Sequence, residues 1–283
     1  MVVFSLQYNN QSAAIGKVLR ENEDKLRKAV ARLSTGKKFT EPADSPASFS
    51  LLSKIASDIL IGQQGANNVR NGASMLDTAD AGLANIEKIF TDVAVLAQEA
   101  MNGVWDNEQR KIFHEQAQSL LTVANDIALS TSFNGIHMLT GSKSKKETSI
   151  TLQLGSTKAP QDRIVLEFSD MRTATLLKHK RIDLTSICSS QQAMKDVEGA
   201  LTTIRKEREK MGTYKKVVEY SLAHKEDMNE QLQAIQSTIG DADVAKEMEN
   251  YTNYTAQVQA SQYMYLLSLQ NPAKIVNMIQ AIK

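Results

Sequence analysis

Ile15, Leu19, Asn22, Leu26, Ala29 and Leu33 recur at alternating steps of four and three, which puts them on one stripe of a helix. Charged residues between Glu21 and Lys28 occupy most of the other face. The stripe is thin and only weakly apolar, so this helix buries too little to be stable alone and needs partners. A break follows. Gly36 is placed to close the helix, and Pro46, just after Asp44-Ser45, suits the start of the next. From about Pro46 to about Met101 the helical pattern resumes, with Val69, Ala73, Leu76, Asp80, Leu83, Ile86, Phe90, Val93, Ala97 and Ala100. Unbroken, such a helix spans roughly 80 Å and calls for coiled-coil packing. Gly62, Gly65, Gly72 and Gly82 weaken its stripe and are candidate kinks.

Asn102-Gly103 and Asp106-Asn107 predict a turn, then a helix carrying Ile112, Gln116, Leu120, Val123 and Ile127 and ending at Phe133-Asn134-Gly135. Only then does the period change to two. Ile150, Leu152 and Leu154 alternate with polar residues, as do Ile164, Leu166 and Phe168 with Val165 and Glu167, predicting a β-hairpin near 148–170. From about Ser189 the helical period returns through Val197, Leu201, Ile204, Arg208, Met211, Lys215, Val218 and Leu222 to Gly240-Asp241. A last heptad pattern runs Val244, Met248, Tyr251, Thr255, Val258, Gln262, Tyr265, Leu269, Val276, Ile279, interrupted at Pro272. The layout is nearly palindromic. The expected fold is mainly α: a long antiparallel coiled-coil or helical bundle built from paired N- and C-terminal halves, with a small β-hairpin region in the middle.

Composition narrows the function. A formal net charge of +1 offers no global attraction for nucleic acid or an anionic membrane. No apolar run approaches the roughly 18–20 residues needed to cross a bilayer. Met1 to Leu6 lacks the basic segment of a cleaved secretory signal, though export by a machine that reads an uncleaved N-terminus stays compatible. The single cysteine, Cys188, rules out an internal disulfide framework and has no recognisable catalytic partner among the four histidines. With four prolines and only 5% aromatics, the chain suits long helices better than a compact enzyme core.

Catalytic and ligand patterns do not assemble. His114-Glu115-Gln116-Ala117-Gln118 lacks the second histidine of a zinc-peptidase helix. The alternation of Lys206, Glu207, Arg208, Glu209 and Lys210 reads as a solvated helix face, and the basic run Lys143, Lys145, Lys146 is too short for nucleic acid. No enzyme activity, cofactor or metal is expected. A metal-dependent hydrolase on a helical scaffold stands as the rival of another class.

Ordered blocks at both ends carry a family resemblance. Ala31-Arg32-Leu33-Ser34-Thr35-Gly36-Lys37-Lys38 with Ala43-Asp44-Ser45-Pro46-Ala47, then Asn68 to Leu76 and Ala79 to Leu83, then Phe133-Asn134-Gly135 and Leu152-Gln153-Leu154-Gly155, and finally Ile239 to Met248 resemble the signature blocks of bacterial flagellins. The turn from Asn102-Gly103 to Arg110 and the run from Lys246 to Thr252 most resemble the core flagellins of spirochaetes. The C-terminus departs from the family, with Ser268 to Pro272 and Ile279 to Lys283 in place of the usual tail. No large insertion separates the hairpin from the returning helix, so outer variable domains are expected to be lacking.

The resemblance implies a structural subunit that polymerises into the flagellar filament for motility. It implies residues 1–43 and 243–283 as the two halves of an inner coiled-coil core, and 44–242 as a helical outer-core domain. Ile15, Leu19, Leu26, Leu33, Val244, Met248, Val258, Leu269 and Ile279 become the expected subunit-interface residues, each of which could instead serve an intramolecular coiled coil. Implied partners are other copies of the chain, the flagellar export apparatus, a chaperone on the C-terminal segment, and hook-associated and cap proteins, with no nucleic acid and no membrane insertion. The implied location is the extracellular filament, or the periplasm for a spirochaete source. The nearest rival is a hook–filament junction protein. Asp92 stands where the family presents a basic residue to an innate immune receptor, so the resemblance does not imply receptor activation.

Overall fold

A computed structural model describes residues 2–141 and 147–281, with side chains over 12–141 and 148–269. Six helices are described. α1 (Val2–Thr35), α2 (Pro46–Ala100), α3 (Asn107–Ser130), α5 (Ile187–Gly240) and α6 (Val244–Ala281) are long, and α4 (Thr173–Leu176) is a single turn. The strands are β1 (Ser132–Phe133), β2 (Ile136–His137), β3 (Glu147–Gln153) and β4 (Arg163–Ser169). The expected mainly helical fold with a small β region is what the chain adopts. α6 runs as one element through position 272.

Local chemistry sets the helix ends. Gly36, at φ +66°, terminates α1 in the left-handed region that glycine adopts without strain, and its N–H donates to Arg32 O at 2.8 Å. Pro46 opens α2, where its missing N–H removes no helical bond. Asp106 caps α3 with a full capping box: its carboxylate accepts from Gln109 N, and the Gln109 side chain accepts from Asp106 N.

The chain divides into two compact units, Met1–Asp58 with Gln231–Lys283, and Ile59–Glu230. In the second, the α2 stripe enters the core as its spacing predicts, with Leu76, Leu83, Ile86, Phe90 and Val93 fully enclosed. So does the α5 stripe, through Val197, Ile204, Met211 and Val218. The polar members of these stripes meet one another. Arg208 donates to Asp80 at 3.0 Å and to Glu87 at 2.9 Å, Arg205 donates to Glu87 at 2.9 Å, and Lys215 lies 2.8 Å from Asp77. The α5 charge run is therefore not simply a solvated face. Glu207 is buried as well, accepting from the backbone N–H and the hydroxyl of Ser169 at the end of β4.

α3 is rotated from its expected phase. The buried positions are Arg110, Ala117, Leu121, Ala124 and Ala128. Alanines let α3 approach the core closely, and the larger Ile112 and Val123 turn outward. Arg110 is a buried cation on backbone oxygens: Nε donates to Ala100 O at 2.9 Å and one terminal nitrogen to Asn102 O at 3.1 Å, closing the free carbonyls at the end of α2.

After α3 the Asn134-Gly135 pair does more than end a helix. With φ of +50° and +77° these residues form the two-residue turn of a tight hairpin, Ser132 opposite His137 and Phe133 opposite Ile136. The expected larger hairpin is β3–β4, antiparallel from Glu147 opposite Ser169 to Gln153 opposite Arg163. Leu166 and Phe168 face the core and Val165 and Glu167 face out, as the alternation predicts. The α2 glycines are seats rather than kinks. A Cβ at Gly65 would strike the Leu154 carbonyl, and one at Gly72 the Leu152 side chain, while Asn68 between them donates to Gln153 O at 2.9 Å.

Candidate functional site

The first unit holds the paired terminal helices. Their antiparallel seam is fastened at one end by a backbone clasp: Lys38 N donates to Gly240 O at 2.7 Å and Ala242 N to Gly36 O at 2.9 Å. Lys37 Nζ reaches Asp241 at 2.7 Å and, with the Ser237 hydroxyl, holds that carboxyl below its usual range. The turn before α2 is tied down by Asp44. Burial by itself would raise this carboxyl. Lys28, at 3.2 Å, and the N–H groups of Thr40 and Glu41 outweigh that effect and hold it low.

On α1 the inward stripe is the one read from the sequence. Ile15, Leu19, Leu26 and Leu33 are half-buried, Asn22 and Ala29 buried. On α6 the inward positions are Glu247, Asn250, Tyr254, Val258, Ser261, Tyr265 and Ser268, a stripe displaced from the apolar one. Asn22 Nδ2 donates to Ser261 Oγ at 3.0 Å in the middle of the seam, with the two residues 8% and 4% exposed. Arg32 pairs with Glu247 at 3.4 Å, and Gly16 makes room for the Tyr265 ring.

The nine expected interface residues therefore separate. Ile15, Leu19, Leu26, Leu33 and Val258 lie in the seam inside one chain. Val244, Met248 and Leu269 are 58%, 50% and 51% exposed, on one flank of α6 with Tyr251 and Leu266. The Ile279 side chain lies outside the described residues. On α1, Val18 and Val30 also face out. α6 thus turns a mostly polar stripe inward and displays large apolar side chains, so the pair leaves apolar surface that a self-sufficient coiled coil would cover. A second exposed apolar surface lies in the other unit, an open groove between α2 and α3 lined by Val95, Leu96, Ile112 and Leu120 and flanked by Asp92 and Glu115.

The residues singled out for metal chemistry have structural work. His114 Nδ1 accepts from Leu184 N at 3.4 Å, and Gln118 Nε2 donates to Ile182 O at 2.8 Å, so together they hold the segment before α5. Among the described residues no three metal-capable side chains converge, and no helix is long and apolar enough to cross a membrane.

Residues 6–144 match the sequence profile of the bacterial flagellin N-terminal helical region, and residues 194–279 that of the C-terminal helical region. The chain belongs to the bacterial flagellin family. Flagellin FlaB1 of Treponema pallidum is 26% identical over 270 residues, covering 92% of this chain and 94% of that protein. The flagellar filament 30.7 kDa core protein of Treponema maltophilum is 24% identical over 264 residues, 90% of this chain and 93% of its own length. The flagellin of Listeria monocytogenes is 24% identical over 274 residues, 93% and 95% of the two chains. In fold, the chain is similar to Bacillus cereus flagellin (TM-score 0.50, 23% identity, 56% of this chain and 88% of that one). It also resembles a putative flagellar hook-associated protein from Vibrio parahaemolyticus (TM-score 0.58, 9% identity, 70% and 100%). In this flagellin-family chain, sequence reasoning placed Asn22 on the inward stripe of α1 but missed its polar partner on α6, because Ser261 and Ser268 carry no apolar signal. It also missed the phase of α6, because Met248 and Leu269 carry a strong one.

Proposed function

We propose that the chain is a non-enzymatic structural subunit that polymerises into the bacterial flagellar filament. The observation that carries this reading is the inverted face of α6: Val244, Met248, Leu266 and Leu269 stay exposed on a helix whose inward stripe is mostly polar. Covering one large apolar side chain contributes about 1.5–3 kcal/mol, so several together supply a driving force for association. A polymer that does not close on itself needs two different surfaces per subunit, and the α2–α3 groove offers a second.

On this reading, residues 1–43 and 243–283 of successive subunits line the inner tube, and 44–242 forms the wall around it. Val244, Met248 and Leu269, with Ile279 beyond them, contact neighbouring copies, while Ile15, Leu19, Leu26, Leu33 and Val258 hold each terminal pair together. Export through the flagellar apparatus, a chaperone on the exposed α6 segment before assembly, and hook-associated and cap proteins at the filament ends complete the set of partners. The filament lies outside the cell, or in the periplasm if the source is a spirochaete.

Seeded polymerisation followed by sedimentation and electron microscopy tests this, comparing the full chain with a version lacking α1 and α6. Filaments from the full chain alone are expected. A full chain that stays monomeric under seeding, with both terminal helices formed, would overturn the assignment.

A further inference from the structure

The chain contains three Asn-Gly pairs, Asn71-Gly72, Asn102-Gly103 and Asn134-Gly135. Such a pair carries a latent reaction of its own. The main-chain nitrogen of the glycine attacks the side-chain amide carbon of the asparagine, and the missing Cβ leaves that nitrogen open to the approach. The fold treats the three pairs differently. Gly72 lies inside α2, where its N–H belongs to the helical ladder and the space above its Cα is filled by Leu152. Asn134 and Gly135 form the tight hairpin turn, and the Asn134 side chain bonds to none of the described residues.

The exposed turn after α2 is built otherwise. The Asn102 side-chain oxygen accepts from Val104 N at 3.2 Å. Because a backbone N–H donates, the acceptor is the amide oxygen, which fixes how the amide is turned. The ring closed by this bond contains both the amide carbon and Gly103 N and keeps them close, and the donor stands where negative charge grows on the oxygen during attack. Gly103 N–H donates to none of the described residues, so the nucleophile gives up no bond. The Asn102 main-chain oxygen accepts from a terminal nitrogen of the buried Arg110 at 3.1 Å.

We propose that Asn102 is a self-modification site, converted by Gly103 N into a cyclic imide and then by water into isoaspartate, with Arg110 directing the ring opening. In the first step the bond from Gly103 N to the Asn102 Cγ forms, the Cγ–Nδ2 bond breaks, and ammonia leaves with the Gly103 amide proton. In the second, water adds to one of the two imide carbonyls. Arg110 polarises the former main-chain carbonyl, so water enters there, the bond from that carbon to Gly103 N breaks, and the new carboxylate stands beside a buried cation. The main chain then runs through the former side chain, one methylene longer, at the turn that joins the two helices of the apolar groove. The chemistry needs only water and holds whether or not the chain polymerises.

The full-length chain is incubated in mildly alkaline buffer, folded and, in parallel, in denaturant. It is then digested, with conversion of each asparagine read by peptide mass spectrometry and isoaspartate counted by enzymatic methylation. In the folded chain Asn102 is expected to convert about tenfold ahead of Asn134, short of what an oxyanion donor supplies in a closed enzyme site because this turn is open to water. Asn71 is expected to stay unmodified, and denaturant to bring the three rates together. The isoaspartate share at Asn102 should be higher in the folded chain than in denaturant. Gly103→Ala adds a Cβ that meets nothing within 4 Å, so the turn is kept while the nucleophile is shielded, and most of the product is expected to vanish. Conversion of Asn102 no faster than that of Asn134 in the folded chain, or product that persists in Gly103→Ala, would overturn the site. Equal isoaspartate shares in the two states would overturn the role given to Arg110.

Discussion

Replacing Gly65 by alanine sets two effects of known sign against each other. Alanine is the better helix former by about 1 kcal/mol, so at an open position of a long helix the change stabilises. At Gly65 the added Cβ meets the backbone carbonyl of Leu154, which cannot rotate away as a side-chain tip would. The end of β3 must lift from α2. That strains the Asn68 to Gln153 hydrogen bond, worth about 0.5–1.5 kcal/mol, and partly uncovers Leu154, whose full burial is worth about 1.5–3 kcal/mol. Losing the bond and half that burial, less the propensity gain, leaves a net destabilisation of about 1 kcal/mol. Gly199 on α5 supplies the control, for a Cβ there meets nothing within 4 Å, so Gly199→Ala is expected to stabilise by up to about 1 kcal/mol. Denaturant titration followed by fluorescence of Trp105 reports on the unit that contains both sites. If Gly65→Ala stabilises as much as Gly199→Ala, the hairpin is not seated on the α2 glycines and this account of them is wrong.

Three further outcomes follow from the geometry. Arg110→Met leaves the last carbonyls of α2 without their buried donor and is expected to lower stability by about 2–4 kcal/mol in the same titration; a change under about 0.5 kcal/mol would contradict the capping role. The Glu87 carboxyl is held low by Arg205 and then Arg208, below its usual 4.5, so its contribution is present above that value and lost as pH falls through the lower folded value. Glu87→Gln should accordingly flatten the loss of thermal stability on acidification below about pH 4.5, and an unchanged slope would refute the link. Met248→Glu with Leu269→Glu should abolish seeded polymerisation while leaving the melting of the soluble chain unaltered, because both side chains are already half in water; loss of folding instead would place them in an intramolecular contact.

Period and punctuation along the chain determined the elements. The helical spacing of α2 and α5, the alternation of β3 and β4, Gly36, Pro46 and the Asp106 capping box all act over a few residues, so the sequence alone carries them. The inward phases of α2 and α5 were legible for the same reason: each has one well-marked apolar stripe, and that stripe is covered; the thinner stripe of α1 also faces inward, half-buried. What tertiary structure decided is which stripe is covered when a helix has two. On α3 Ile112 and Val123, and on α6 Val244, Met248, Leu266 and Leu269, face out, while Ala117, Ala124 and Ala128 in one, and Ser261 and Ser268 in the other, face inward. A rule that equates size and hydrophobicity with the interior gets such helices wrong whenever part of the interior lies between subunits. The glycines of α2 and the cation of Arg110 belong to the same class. A missing Cβ or a buried guanidinium takes its meaning from the strand or carbonyl opposite, and only the folded chain brings those groups within reach.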